Sequence, residues 1–216
     1  MGTRKLPRSF YDRSALLVAP DLLGKILCHR RGGLLTSGRI VEVEAYLGEG
    51  DPASHAFRGP SRRNRAMFGP PGHAYVYFTY GNHFCMNVVT GPDGVASAVL
   101  IRALEPVEGI AAMRRRRGRT RIEDLTSGPG KLAQALGIDR DAYGLDLRRE
   151  PLWICTDGLV PSGCATGPRV GIRAATDRPY RFFLPDSPFV SRPHGARRPR
   201  AGGRVTSRRA GPRAHR

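Results

Sequence analysis

The stretch that most restricts the fold runs from residue 74 to residue 89. Ala74-Tyr-Val-Tyr-Phe-Thr-Tyr80 and His83-Phe-Cys-Met-Asn-Val-Val89 are dense in aromatic and β-branched residues, and Gly81-Asn82 separates them. This pattern predicts a β-hairpin with Gly81 at the first central position of a type II′ turn and Tyr80 at the tip. Tyr75 and Tyr77 then share one face, while Phe78 and Phe84 are expected in the core. Residues 39–46 alternate in the same way, so Ile40, Glu42, Glu44 and Tyr46 should project to one face and Val41, Val43 and Ala45 to the other. A further strand, 98–104, follows the Gly91-Pro-Asp-Gly94 turn and carries Arg102 among Val99, Leu100 and Ile101. An arginine in that setting needs a partner.

Shorter strands are expected at 152–155, 169–172 and 181–184. Pro106 can open a helix with Val107, Ile110 and Met113 on one side, ending in the run Arg114 to Arg117 at the negative dipole end. A second helix should start near Pro129, carry Lys131, Leu132 and Leu136, and stop at Gly137. Residues 47–71, rich in Gly, Pro and Arg, predict a long surface loop presenting His55. No internal repeat is present. Strands in meander order with few helices predict an α+β fold: a single mixed domain with a curved, mostly antiparallel β-sheet and peripheral helices.

Charge narrows the partners. Against 18 acids stand 36 basic residues, a net charge of +18, which favours a polyanion such as nucleic acid over small neutral substrates. Residues 192–216 hold nine arginines and no acid, and almost no large apolar side chains, so a disordered Arg-rich tail is expected there. The remaining +9 belongs to residues 1–191, the expected folded domain. No stretch approaches the roughly 20 apolar residues of a membrane span, and the N-terminal residues lack an apolar core, so a soluble, cytoplasmic protein without membrane contact is expected. Cys28, Cys85, Cys155 and Cys164 form no CxxC pair and are expected as buried thiols.

Glu42 and Glu44 are the natural candidates for proton or water chemistry, since neighbouring carboxylates can divide acid and base roles. Alone, such a pair is also what a strand displays for solubility. Glu44 beside Tyr46, in so basic a chain, points to a carboxylate with a task. Exposed tyrosines in such a protein can stack on nucleic-acid bases. His55, His73, His83 and Cys85 match neither HExxH nor the zinc-deaminase spacing, so no metal or other cofactor is expected. Ser127-Gly-Pro-Gly-Lys131 lacks the spacing of a phosphate-binding nucleotide loop, although its helix N-terminus suits one DNA phosphate. A non-catalytic basic nucleic-acid binder and a zinc-dependent hydrolase or deaminase using the histidines and Cys85 are the two rival classes.

Taken together, the ordered motifs are more specific. Ile40-Val-Glu-Val-Glu-Ala-Tyr46, Asp51-Pro-Ala-Ser-His55, Arg63-Asn-Arg65 with Met67-Phe68, Tyr75-Val-Tyr77 with Tyr80-Gly81, Cys85-Met-Asn87, Arg102-Ala-Leu-Glu-Pro106 and Ser127-Gly-Pro-Gly-Lys-Leu132 resemble the alkyladenine (3-methyladenine) DNA glycosylase family. The resemblance implies a monomeric base-excision-repair enzyme acting on double-stranded DNA that contains damaged purines. Such an enzyme flips out an alkylated or deaminated purine and hydrolyses its N-glycosidic bond, with no lyase step. It implies Glu44 as the general base, with Arg102 and the Val170 carbonyl holding the water. Tyr46, His55 and Tyr77 would wall the base pocket, Asn87 would limit what fits beneath, Tyr80 would be the wedge, and Arg63, Arg65 and Lys131 would contact DNA.

Overall fold

The structure, a computed structural model, describes residues 2–191; the expected Arg-rich tail lies outside the described residues. Its frame is an antiparallel sheet with strand order β1 (Arg4–Lys5), β8 (Leu152–Thr156), β2 (Ile26–Arg31), β3 (Leu34–Tyr46), β6 (Ala98–Glu108), β5 (His83–Val89) and β4 (Ala74–Thr79). Two short strands, β9 (Ala165–Gly167) and β10 (Arg181–Phe183), curl over it, β10 pairing with both β3 and β9, and β7 (Arg148–Arg149) pairs with β8. β2 and β3 join through Gly32-Gly33, both at positive φ, as a tight turn between twisted strands requires.

The period-two alternation of four neighbouring strands decides the layers. Val43 and Ala45 of β3, Val99 and Ile101 of β6, Met86 and Val88 of β5, and Ala74 and Val76 of β4 all enter the main core. That core is closed by α2 (Ala15–Leu22), α3 (Ile110–Arg117) and α4 (Pro129–Leu136), while the one-turn α1 (Arg8–Tyr11) adds Tyr11. Ser14 caps α2 by accepting the Leu16 N–H, and α4 runs from Pro129 to Gly137, as its sequence predicts. The residues between, Glu42, Glu44, Tyr46, Leu100, Arg102, Cys85, Asn87, Tyr75 and Tyr77, face the other side of the sheet. Polar and aromatic groups thus gather on the face opposite the main core.

Several local expectations are corrected. The hairpin turn has Tyr80 (φ 52°) and Gly81 (φ 70°) as its central residues, with Asn82 N–H bonded to the Thr79 carbonyl. Positive φ at both is the type I′ signature rather than type II′, and it forces a tyrosine into the left-handed region. Ile40 packs with Val43 and Ala45 instead of beside Glu42, because a β-bulge between Ile40 and Glu42 breaks the alternation. Pro106 opens no helix: β6 continues through it to Glu108, at a register irregularity opposite Gly38, and α3 begins only after Gly109. Residues 169–172 form no strand, since the Val170 N–H is taken by Glu44 and Gly171 has φ 78°. Phe78 is exposed on the hairpin against Phe84, and Cys164 is exposed, whereas Cys28, Cys85 and Cys155 are buried. The 47–71 loop is less superficial than expected: Asp51, Ala56, Asn64 and Met67 are buried.

Candidate active site

On the polar face lies a cleft of about 350 Å³, lined by Tyr46, His55, Tyr75, Tyr77, Asn87 and Arg102 among others. Glu44 is sealed from solvent directly behind three groups that line this cleft. Its Oε2 accepts the Tyr46 hydroxyl at 2.9 Å and lies 3.2 Å from Arg102 Nη1, and its Oε1 accepts the Val170 N–H at 2.6 Å. Burial pushes the Glu44 carboxyl above the usual range, opposed by Arg102, Val170 and Tyr46 in that order. The same burial, with Glu44 beside it, raises the Tyr46 phenol, so that phenol stays a donor.

Arg102 is buried and divided between two acids. Its Nε donates to Glu42 at 3.0 Å while Nη1 faces Glu44, and Nη2 donates to Ser191 Oγ at 3.2 Å. The partner demanded by an arginine within an apolar strand is therefore a pair of carboxylates on the neighbouring strand.

The walls are aromatic. His55 Nδ1 is 2.8 Å from the Tyr75 hydroxyl, and its ring meets Tyr77 edge-on at 4.6 Å. Burial and then Arg63 push the His55 imidazole below its usual pKa, which favours its neutral form. Asn87 fixes its amide by donating to the Tyr75 carbonyl at 3.0 Å. Tyr80 stands at the hairpin tip, 83% exposed, at the rim of the cleft. An exposed aromatic held in left-handed backbone is a costly arrangement, of the kind that marks functional positions.

Glu44, Tyr46, Arg102, Val170, His55, Tyr77 and Asn87, the residues that the resemblance singles out, thus lie together at the cleft. Val170 engages through its N–H, directly with Glu44. Arg63 lies with its guanidinium 5.3 Å from the Tyr77 ring centroid and donates to the Phe78 carbonyl, and Arg65 is exposed on the adjoining 3₁₀ turn. Lys131, in the first turn of α4, reaches Ser127 Oγ at 3.3 Å. Gly130 lets that turn approach the hairpin, since a Cβ there would lie 2.7 Å from His83 Cγ. Sequence reasoning missed Cys85 in the lining and the buried Asp51–Arg169 pair behind it. Asp51 belongs to a quoted motif, but nothing along the chain marks Arg169 as its partner.

Residues 9–188 match the family model described as Methylpurine-DNA glycosylase. Similar proteins include one from Methanoculleus marisnigri, 54% identical over 191 residues that cover 87% of this chain and 98% of the relative. Another from Burkholderia lata is 53% identical, and one from Chlorobaculum parvum 51%, each over 87% of this chain and 91% of the relative. All three carry 3-methyladenine DNA glycosylase in their names. With the family match spanning most of the chain and a buried carboxylate set behind a tyrosine-walled cleft, the chain belongs to the methylpurine-DNA glycosylase family.

Proposed function

We propose that the protein binds duplex DNA as a monomer, rotates a damaged purine nucleotide into the tyrosine-walled cleft, and hydrolyses its N-glycosidic bond without cutting the strand. The observation that carries this reading is Glu44: a buried carboxylate that pairs with Arg102 and is placed immediately behind the cleft. Tyr80 fills the gap left in the stack, and stacking on Tyr46 and Tyr77 offsets extrusion, which costs a few kcal/mol and least for damaged or mispaired bases.

As the bond to the base breaks, the sugar acquires oxocarbenium character, and an ionised Glu44 stabilises it. Water reaches the carboxylate by replacing the Tyr46 hydroxyl on Oε2, one neutral donor exchanged for another. Glu44 takes its proton, a contribution of roughly 10² to 10⁴ in rate, while Arg102 and the Val170 carbonyl hold it. A cationic alkylated purine departs neutral without help; hypoxanthine or ethenoadenine needs a proton on the leaving base. Neither β3 nor the β4–β5 hairpin contains lysine, so no Schiff-base nucleophile stands on the carboxylate strand or the tyrosine hairpin. Arg65 and Lys131 contact backbone phosphates.

The test is release of free base from duplex carrying hypoxanthine or 7-methylguanine, in the presence of chelator. Free base with an intact strand, cut only after alkali or heat, is expected. Absence of release, or a borohydride-trapped protein–DNA adduct, overturns the reading.

A further inference from the structure

Behind the cleft, Asp51 and Arg169 form an ion pair in which both side chains are completely shielded from solvent. Arg169 Nη1 and Nη2 meet the two Asp51 oxygens at 2.5 and 2.7 Å, and Nη1 also donates to the Ala45 carbonyl at 3.1 Å. Asp51 in turn accepts the Leu47 and Ala53 N–H groups at 3.1 and 3.3 Å. The guanidinium lies 4.6 Å from the Tyr46 ring centroid and 5.3 Å from that of Tyr180.

A buried pair of this kind returns in attraction about what it loses in desolvation, so its presence is poorly explained as a source of stability. Its connections are more specific. Ala45 separates Glu44 from Tyr46 on β3. Arg169 immediately precedes Val170, the residue whose N–H binds Glu44. Asp51 sits at the root of the loop that carries Ala53 and His55 to the cleft, and Val170 and Ile172, just after Arg169, line it as well. One fork therefore ties three separate segments at the point where they surround the carboxylate. Only a planar guanidinium can address two carboxylate oxygens and a carbonyl while lying on an aromatic ring.

We propose that Asp51 and Arg169 are positioning residues for the reaction: their pairing holds the Val170 N–H on Glu44 and sets the Tyr46 ring and the His55 loop at the cleft. This rests on the assignment of Glu44 as the base, but it has a readout of its own, the Val170 amide.

Glu44 faces Arg102 on β6, Tyr46 and Glu42 on β3, Tyr77 on β4, Cys85 on β5, and the Arg169–Val170 segment. Arg169→Lys keeps the charge among these groups and removes the fork, so a shift in pH dependence reports geometry. Without the Val170 donor, burial dominates, the Glu44 carboxyl rises further, and ionisation needs a higher pH.

The experiment compares full-length wild type and Arg169→Lys by single-turnover base release across pH, and by ¹H–¹⁵N spectra. Expected for the variant are a rate about tenfold lower at pH 6, a deficit that narrows at alkaline pH, and a Val170 amide that loses its downfield shift and exchange protection. Affinity for undamaged duplex should not change. A folded variant with the wild-type rate, acid limb and Val170 amide overturns the proposal. If the lysine variant does not fold, Asp51→Asn, which retains an oxygen for Leu47 or Ala53, is read by its Val170 amide alone, because it removes a charge and leaves Arg169 uncompensated. Collapse of both variants assigns the pair to folding and overturns the proposal as well. A wild type that releases no base sinks the Glu44 reading, while its spectrum still tests the clamp.

Discussion

Glu42 and Glu44 stand two residues apart on one strand, face the same side and are equally buried, yet their surroundings differ in kind. Glu42 accepts from Arg102 at 3.0 Å, from Arg181 at 2.7 Å, and from the Ser191 N–H and Oγ at 2.6 and 2.8 Å. Among the described residues Glu44 makes one ion pair, with Arg102, and is otherwise held by a phenol and one backbone N–H. A carboxylate saturated by fixed charged donors is an anchor, because any exchange leaves a buried guanidinium uncompensated. One held partly by a neutral side chain can exchange that donor for water and keep its basicity. The contrast teaches that burial alone does not identify a base; the replaceability of its partners does.

The largest expected effect breaks the Glu44 side of this contrast. Glu44→Gln should reduce single-turnover base release by at least about 10² to 10⁴-fold while retaining affinity for lesion duplex, because shape and stacking survive and the proton acceptor does not. Release within a few-fold of wild type would place the base elsewhere. Glu42→Gln should act mainly on the fold. Leaving Arg102 and Arg181 short of their shared acceptor should lower unfolding free energy in urea by about 3–5 kcal/mol, while folded protein retains much more activity than Glu44→Gln. A folded Glu42→Gln protein as inactive as Glu44→Gln would erase the distinction.

How much of this was legible in the chain follows the same division. The tyrosine hairpin, the alternation of Glu42, Glu44 and Tyr46, and α4 between Pro129 and Gly137 are local patterns, set by turn chemistry and side-chain period, and they point to the right face. The family resemblance brought Arg102, Val170, His55, Tyr77 and Asn87 to the same place, and the structure gathers them around one cleft. What was not legible depends on long-range pairing. The bulge that turns Ile40 into the core arises from the register of β3 against β6. The continuation of β6 through Pro106 depends on β3 still pairing with it as far as Ser37, opposite Glu108. Asp51 and Arg169 are 118 residues apart, and Glu42 and Ser191 are 149 apart. No propensity or period joins such residues.

The smallest effect sharpens the contrast most. Tyr46→Phe keeps the ring against Arg169 and removes only the phenolic donor at 2.9 Å from Glu44. A hydrogen bond to a charged group contributes about 1.5–3 kcal/mol, roughly tenfold or more in the ionisation equilibrium, so the Glu44 pKa should rise further. The sign follows from the burial that already raises it: removing a donor to the ionised form pushes it further in the same direction. The acid limb of the kcat/KM profile, which reports the free enzyme in which the phenol still holds Glu44, should therefore move to higher pH, with kcat/KM about tenfold lower at pH values below the limb and close to wild type above it. If Tyr46→Phe lowers kcat/KM equally at every pH, the phenol acts by contacting substrate rather than by holding Glu44 ionised in the free enzyme.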